Sequence, residues 1–145
     1  MQVDFYQLSH DPVHRVIPAI AARILEQNER LLIVDSRTET LDRLSQALWE
    51  AQPASFLAHD RAGCAQPDLQ PILLADHCDA ANGAFHIALT DGLWRDEALA
   101  FVRAFYFFDD ATVDQARTCW RILARNSDVE PRYWRQEGRR WVKGP

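Results

Sequence analysis

The chain has 145 residues, of which 48% are hydrophobic and 26% charged, with a formal net charge of −5. This is the profile of one soluble domain, spanning residues 1–145, with enough chain for a sizeable core. It argues against a general nucleic-acid coat, which carries a basic excess, and no apolar run nears the roughly 18–20 residues that span a bilayer.

Val3–Leu8 is a β-branched and aromatic run of strand length. Ile20, Ala21, Ile24 and Leu25 follow at helical spacing, with Pro18 best suited to the first turn of that helix. Leu31–Val34 is a short apolar run, as expected of a strand buried on both faces. Thr38 or Thr40 is placed to cap a second helix, whose apolar face is Leu41, Leu44, Leu48 and Trp49. Gln52–Asp68, with Pro53, Gly63 and Pro67, reads as a loop around a short piece, Ser55–His59.

Pro71–Ala75 and Ala84–Leu89 are further strand candidates, parted by a turn through Asn82-Gly83. Asp96–Ala100 reads as a short helix and Phe101–Phe108 as a strand. Asp109 and Asp110 stand where acids favour a helix start, and that helix runs to about Asn126. Pro131–Gln136 and Arg140–Val142 are terminal strand candidates. Alternating strands and helices predict an α/β fold: a single three-layer domain with a mostly parallel central sheet flanked by helices.

Such a fold invites a nucleotide, but the residues for it are missing. There is no GxGxxG and no GxxxxGK[ST], and the loop after Leu31–Val34 is Asp35-Ser36-Arg37-Thr38, without a glycine. Asp76-His77-Cys78-Asp79 gathers ligand types on one turn, where adjacent side chains rarely converge on one ion, so a polar surface loop is expected and no metal. Cys64, Cys78 and Cys119 are odd in number and lack CxxC spacing, as expected of free thiols in a cytoplasmic protein. The opening Met1-Gln2-Val3-Asp4-Phe5-Tyr6 lacks the features of a secretory signal. No catalytic residue and no cofactor are expected.

The charge is unevenly spread. The last 29 residues hold Arg117, Arg121, Arg125, Arg132, Arg135, Arg139, Arg140 and Lys143 against three acids, and three of the five Trp residues: Trp120, Trp134 and Trp141. On a helix turning about 100° per residue, Arg117, Arg121 and Arg125 form one row, and Val113, Ala116, Cys119 and Leu123 form the buried face. Trp120 falls at the edge between them, with Ala124 leaving room beside it. The result is an apolar notch rimmed by guanidinium groups, suited to an acidic peptide ending in a hydrophobic residue or to single-stranded nucleic acid stacked on the indole. A solvated helix face with Trp120 closing the core fits the same pattern.

Several segments, taken in order, resemble the chi subunit of bacterial DNA polymerase III holoenzyme. They are Val3-Asp4-Phe5-Tyr6, then Ala47-Leu48-Trp49 with Ser55-Phe56-Leu57-Ala58-His59, then the passage Phe105–Arg117. The closing Ala116-Arg117-x-x-Trp120-Arg121, Tyr133-Trp134-x-Gln136 and Gly138-Arg139-Arg140-Trp141-x-Lys143 resemble a longer C-terminal version found in part of that family. Ala58 stands where the family usually has proline. The resemblance implies a Rossmann-like fold without a nucleotide site and a non-catalytic replication subunit. It implies that the protein links the clamp loader to single-stranded DNA-binding protein by holding the latter's acidic C-terminal tail, meeting DNA only indirectly. By position Arg117, Trp120 and Arg121 match the tail-binding helix, with Arg125 one place off. Trp49 and Phe56 match the aromatic face that meets the psi subunit in lineages that have one; core packing is their other reading. The alternative to tail recognition is direct binding of single-stranded nucleic acid.

Overall fold

The computed structural model describes residues 1–51, 57–138 and 140–144. Its strands are β1 (Gln2–Gln7), β2 (Leu31–Val34), β3 (His59–Arg61), β4 (Ile72–Ala75), β5 (His86–Leu89), β6 (Arg103–Phe108), β7 (Glu130–Glu137) and β8 (Arg140–Lys143). Its helices are α1 (Val13–Glu26), α2 (Thr38–Glu50) and α3 (Val113–Ala124), with 3-10 turns at Pro67–Leu69 and Asp96–Ala100. One open sheet of eight strands runs in the order β3-β4-β2-β5-β6-β1-β7-β8. Every pairing is parallel except the β7–β8 hairpin.

The two faces of the sheet carry separate cores. On one, Val13, Val16, Ile17, Ala21 and Ile24 of α1 and Leu41, Leu44 and Leu48 of α2 cover Leu31, Ile33, Ile72, Leu74, Phe105 and Phe107. On the other, Ala116, Cys119 and Leu123 of α3 cover Val3, Phe5, Tyr106 and Phe108. The central strands β2, β4 and β5 are almost wholly apolar and buried; α1 and α2 close one face, and on the other Ala84, Ala98 and Phe101 of the connecting segments join the core. The α/β reading of the sequence is correct.

Several local expectations shift. Pro18 lies inside α1, not in its first turn, because the helix starts at Val13 with Pro12 as N-cap. The backbone bond that Pro18 cannot donate is outweighed by the packing of Ile17 and Ala21, both fully buried. Asp109 and Asp110 precede α3. Asp109 accepts from the backbone N–H groups of Ala111 (3.0 Å) and Thr112 (3.2 Å), so its carboxylate shapes a turn that leads into the N-cap Thr112. The helix ends at Ala124 rather than Asn126. Inside the stretch read as loop, His59–Arg61 adds the edge strand β3 alongside β4. Residues Ser55 and Phe56 of the expected short piece fall outside the described residues.

At the strand ends, two internal carboxylates tie the loops together. After β2 the buried Asp35 takes the backbone N–H of Arg37 at 2.8 Å, the Arg37 guanidinium at 3.0 Å on each oxygen, and the Thr90 hydroxyl at 2.8 Å. After β5, Asp91 accepts the Ser36 N–H at 2.9 Å and a two-pronged contact from Arg95 at 2.9 and 2.8 Å. Burial alone would raise the Asp91 carboxyl, but the bonds from Arg95 and Ser36 outweigh it and hold the group down at about 2. The amides of Ser36 and Arg37 and the guanidinium groups of Arg37 and Arg95 are thus engaged by the chain's own carboxylates.

Candidate functional site

On the α3 side of the sheet lies a cleft of about 560 Å³ lined by Phe5, Gln7, Phe108, Val113, Ala116, Arg117, Trp120, Arg121 and Tyr133. Its floor comes from three adjacent parallel strands. Register puts Tyr106, Phe5 and Tyr133 in one row and Phe108, Gln7 and Arg135 in the next. Alternation along each strand aims these side chains at α3.

Trp120 stands as the inner wall. It meets the Phe5 ring edge-on at 5.0 Å and the Tyr133 ring at 6.5 Å. Tyr133 lies 6.3 Å from Phe108, and its hydroxyl donates to the Gln7 side-chain oxygen. Burial raises the Tyr133 phenol, while Arg135 and Arg117 both pull it down, so two cations flank this ring from different elements. Gly144 donates its N–H to the Tyr133 carbonyl at 2.9 Å. A Cβ there would come within 2.4 Å of the Tyr133 ring, so the close backbone approach requires glycine.

Arg117 and Arg121 occupy the helix rim, and both are exposed. Arg117 faces Asp114 at 3.6 Å, a surface pair with 70% and 94% of the side chains exposed, and Arg121 Nε donates to the Arg117 carbonyl at 3.4 Å. Such contacts hold little energy and leave both guanidinium groups able to change partner. Arg125, the C-cap of α3, is exposed and lies outside the lining. The open space also differs from expectation. It lies beside Val113 and Ala116, toward the start of α3, whereas Ala124 faces solvent. A helical projection holds no information on where the strands facing the helix leave space.

The other aromatic candidates lie elsewhere. Trp49, 55% exposed, sits with its ring 4.5 Å from that of His59. His59 is itself buried between Leu57 O (2.7 Å) and Ser45 Oγ (2.9 Å). A carbonyl can only accept, so Nδ1 carries the proton and Nε2 takes the hydroxyl. Phe56 is outside the described residues. Cys119 faces the core, and burial pushes its thiol up to about 12, which leaves no thiolate for nucleophilic work. His77 donates to Asp76 at 2.8 Å.

The family model described as DNA polymerase III chi subunit, HolC, matches residues 1–130. The chain belongs to this family. No curated relative matched it. The chi family is an accessory replication subunit of DNA polymerase III, so the chain is placed in DNA replication. The chi match takes in β1 through β6 and all of α3, and stops at Glu130, where β7 begins. Among the described residues no helix is long and apolar enough to cross a membrane.

The cleft residues that sequence reasoning missed are Phe5, Gln7, Phe108 and Tyr133. Their signal exists only after β1 is known to pair with both β6 and β7.

Proposed function

We propose that this chi-family chain is a non-catalytic adaptor that binds the acidic C-terminal tail of single-stranded DNA-binding protein and so links it to the clamp loader in the cytoplasm. The observation that carries this reading is the cleft itself: an apolar, aromatic floor with two exposed guanidinium groups on one rim. An apolar terminal side chain fits against Phe5, Trp120 and Tyr133. A terminal carboxylate and its acidic neighbours fit Arg117 and Arg121, whose planar forks donate two parallel hydrogen bonds to a carboxylate. Arg125 stands one turn away and would meet only residues further along the tail. Trp49 and Phe56 are assigned to the psi partner by family position alone.

Single-stranded nucleic acid is the second candidate for the basic end. Against it, Trp134 and Trp141 are engaged with the protein: both pack on Tyr6, at 6.3 and 5.0 Å, and Trp134 Nε1 donates to the buried Asp4 at 3.1 Å. Their rings serve the fold before they could serve as stacking platforms.

The test is calorimetric titration with a tail peptide. Arg117→Ala is expected to weaken binding by about 1.5–3 kcal/mol, the range for charge-assisted hydrogen bonds. Unchanged affinity would remove Arg117 from the site, and tight binding of bare oligonucleotide without peptide binding would favour the nucleic-acid reading.

A further inference from the structure

The row of side chains that floors the cleft does not end at its lining. Phe108 and Gln7 line the cleft, Arg135 of β7 stands beside Gln7, and Val142 of β8 stands opposite Arg135. Arg140 pairs in register with Glu137 on the same face. The row of the sheet that begins in the cleft therefore continues through the polar Gln7 and the cationic Arg135 into the hairpin. That hairpin lies almost wholly beyond the segment matching the chi family.

We infer that the β7–β8 hairpin carries a second anionic subsite, centred on Arg135, for the acidic residues that precede the apolar C-terminal residue of a peptide held in the cleft. The inference rests on the cleft being a peptide site, as proposed above. Arg117 and Arg121 form one cationic lip on α3, and Arg135 forms the other on the sheet. From Gln7 to Val142 is two interstrand spacings, about 10 Å, the reach of roughly three extended residues. A peptide anchored at Trp120 thus crosses Arg135 within its last few residues.

Arg135 is not idle in the unliganded chain. It pairs with Glu137 at 2.8 Å, with 51% and 52% of the two side chains exposed. An ion pair so open to water is weak and exchangeable. Glu137 acts as a built-in competitor that a peptide carboxylate must displace.

The experiment uses the full chain and two synthetic peptides with the same apolar C-terminal residue and free carboxylate: one of three residues, one of nine with acids upstream. Arg135→Ala is expected to weaken the long peptide about three- to fivefold and leave the short one unchanged, in keeping with a single exposed charge. Glu137→Gln is expected to strengthen the long peptide about two- to threefold by freeing Arg135. Arg117→Ala weakens both. Loss of peptide affinity in Arg117→Ala with neither hairpin variant moving would overturn the second subsite while leaving the cleft assignment standing. Absence of binding by the unaltered chain would overturn both. A single-stranded oligonucleotide that binds and loses affinity with Arg135→Ala, while the peptides do not, would make the hairpin a nucleic-acid contact and overturn the inference.

Discussion

Trp120 and Asp91 are both set by their neighbours, one left partly open and the other closed off, with opposite purposes. Trp120 leaves a flank open to the cleft while its edge rests on Phe5. Asp91 turns both oxygens inward, with only 2% of its side chain exposed, and takes its bonds from Arg95 and Ser36. Its folded-state value, about 2, is below the ordinary 3.8. The stabilisation is therefore fully present above the unfolded value and is lost as pH falls through the folded one. A shift of this size corresponds to about 2 kcal/mol. Urea unfolding followed from pH 6 to pH 2 should show the decline beginning below about pH 5. In Asp91→Asn the pH 6 stability should already be lower and the acid decline shallower. Identical slopes in the two proteins would show that other carboxylates govern the acid limb.

At the scale of elements, the start of α3 is held by a glycine in another loop. Gly92 has φ of +75°, and a Cβ there would stand 2.6 Å from the side chain of Thr112, the N-cap of the helix. The Gly92 carbonyl accepts the Tyr106 hydroxyl at 2.6 Å, which fixes the loop against β6. Gly92→Ala should cost about 1–3 kcal/mol through backbone strain and the displaced cap. Gly63→Ala, at a site with nothing within 4 Å, is the control that should change little. Equal denaturation midpoints for the two variants would refute the wedge between loop and helix.

The same element shows how far local sequence reaches. The polar and apolar faces of α3 follow from residue spacing, and so does the placement of Trp120 at their border. The opposite wall does not. Tyr133 meets Gln7 across 126 positions, and no local periodicity records which strands become neighbours. Pro18 departs from the local rule for a related reason. A proline marks a helix start by local rules, and here the buried face of α1 overrides them. β3, three residues long with Asp60 exposed at its centre, has too little apolar pattern to be recognised alone.

For the whole molecule, the division of charge matters more than its total. The chain carries −5 overall, yet its last 29 residues hold eight basic and three acidic side chains. An acidic peptide is repelled by most of the surface and drawn to one end, which raises the rate of productive encounters. Stopped-flow association with the tail peptide should slow by roughly tenfold between 50 and 500 mM salt, with dissociation changing far less. Association rates that ignore salt would mean the arginines act only at short range.

The position of β1 between β6 and β7 also fixes when the cleft can exist. β1 lies unpaired on both sides until Arg103–Phe108 and then Glu130–Glu137 have been synthesised. Contacts of such long sequence separation form slowly, because the intervening loop must be closed before they are rewarded. Phe5 waits for Tyr133 through nearly the whole length of the chain. A growing or truncated chain that ends just after α3 already has its arginine row and the Phe5, Gln7 and Phe108 part of the floor but lacks Tyr133, so the cleft gains its last wall in a single late step, with the closing of β7.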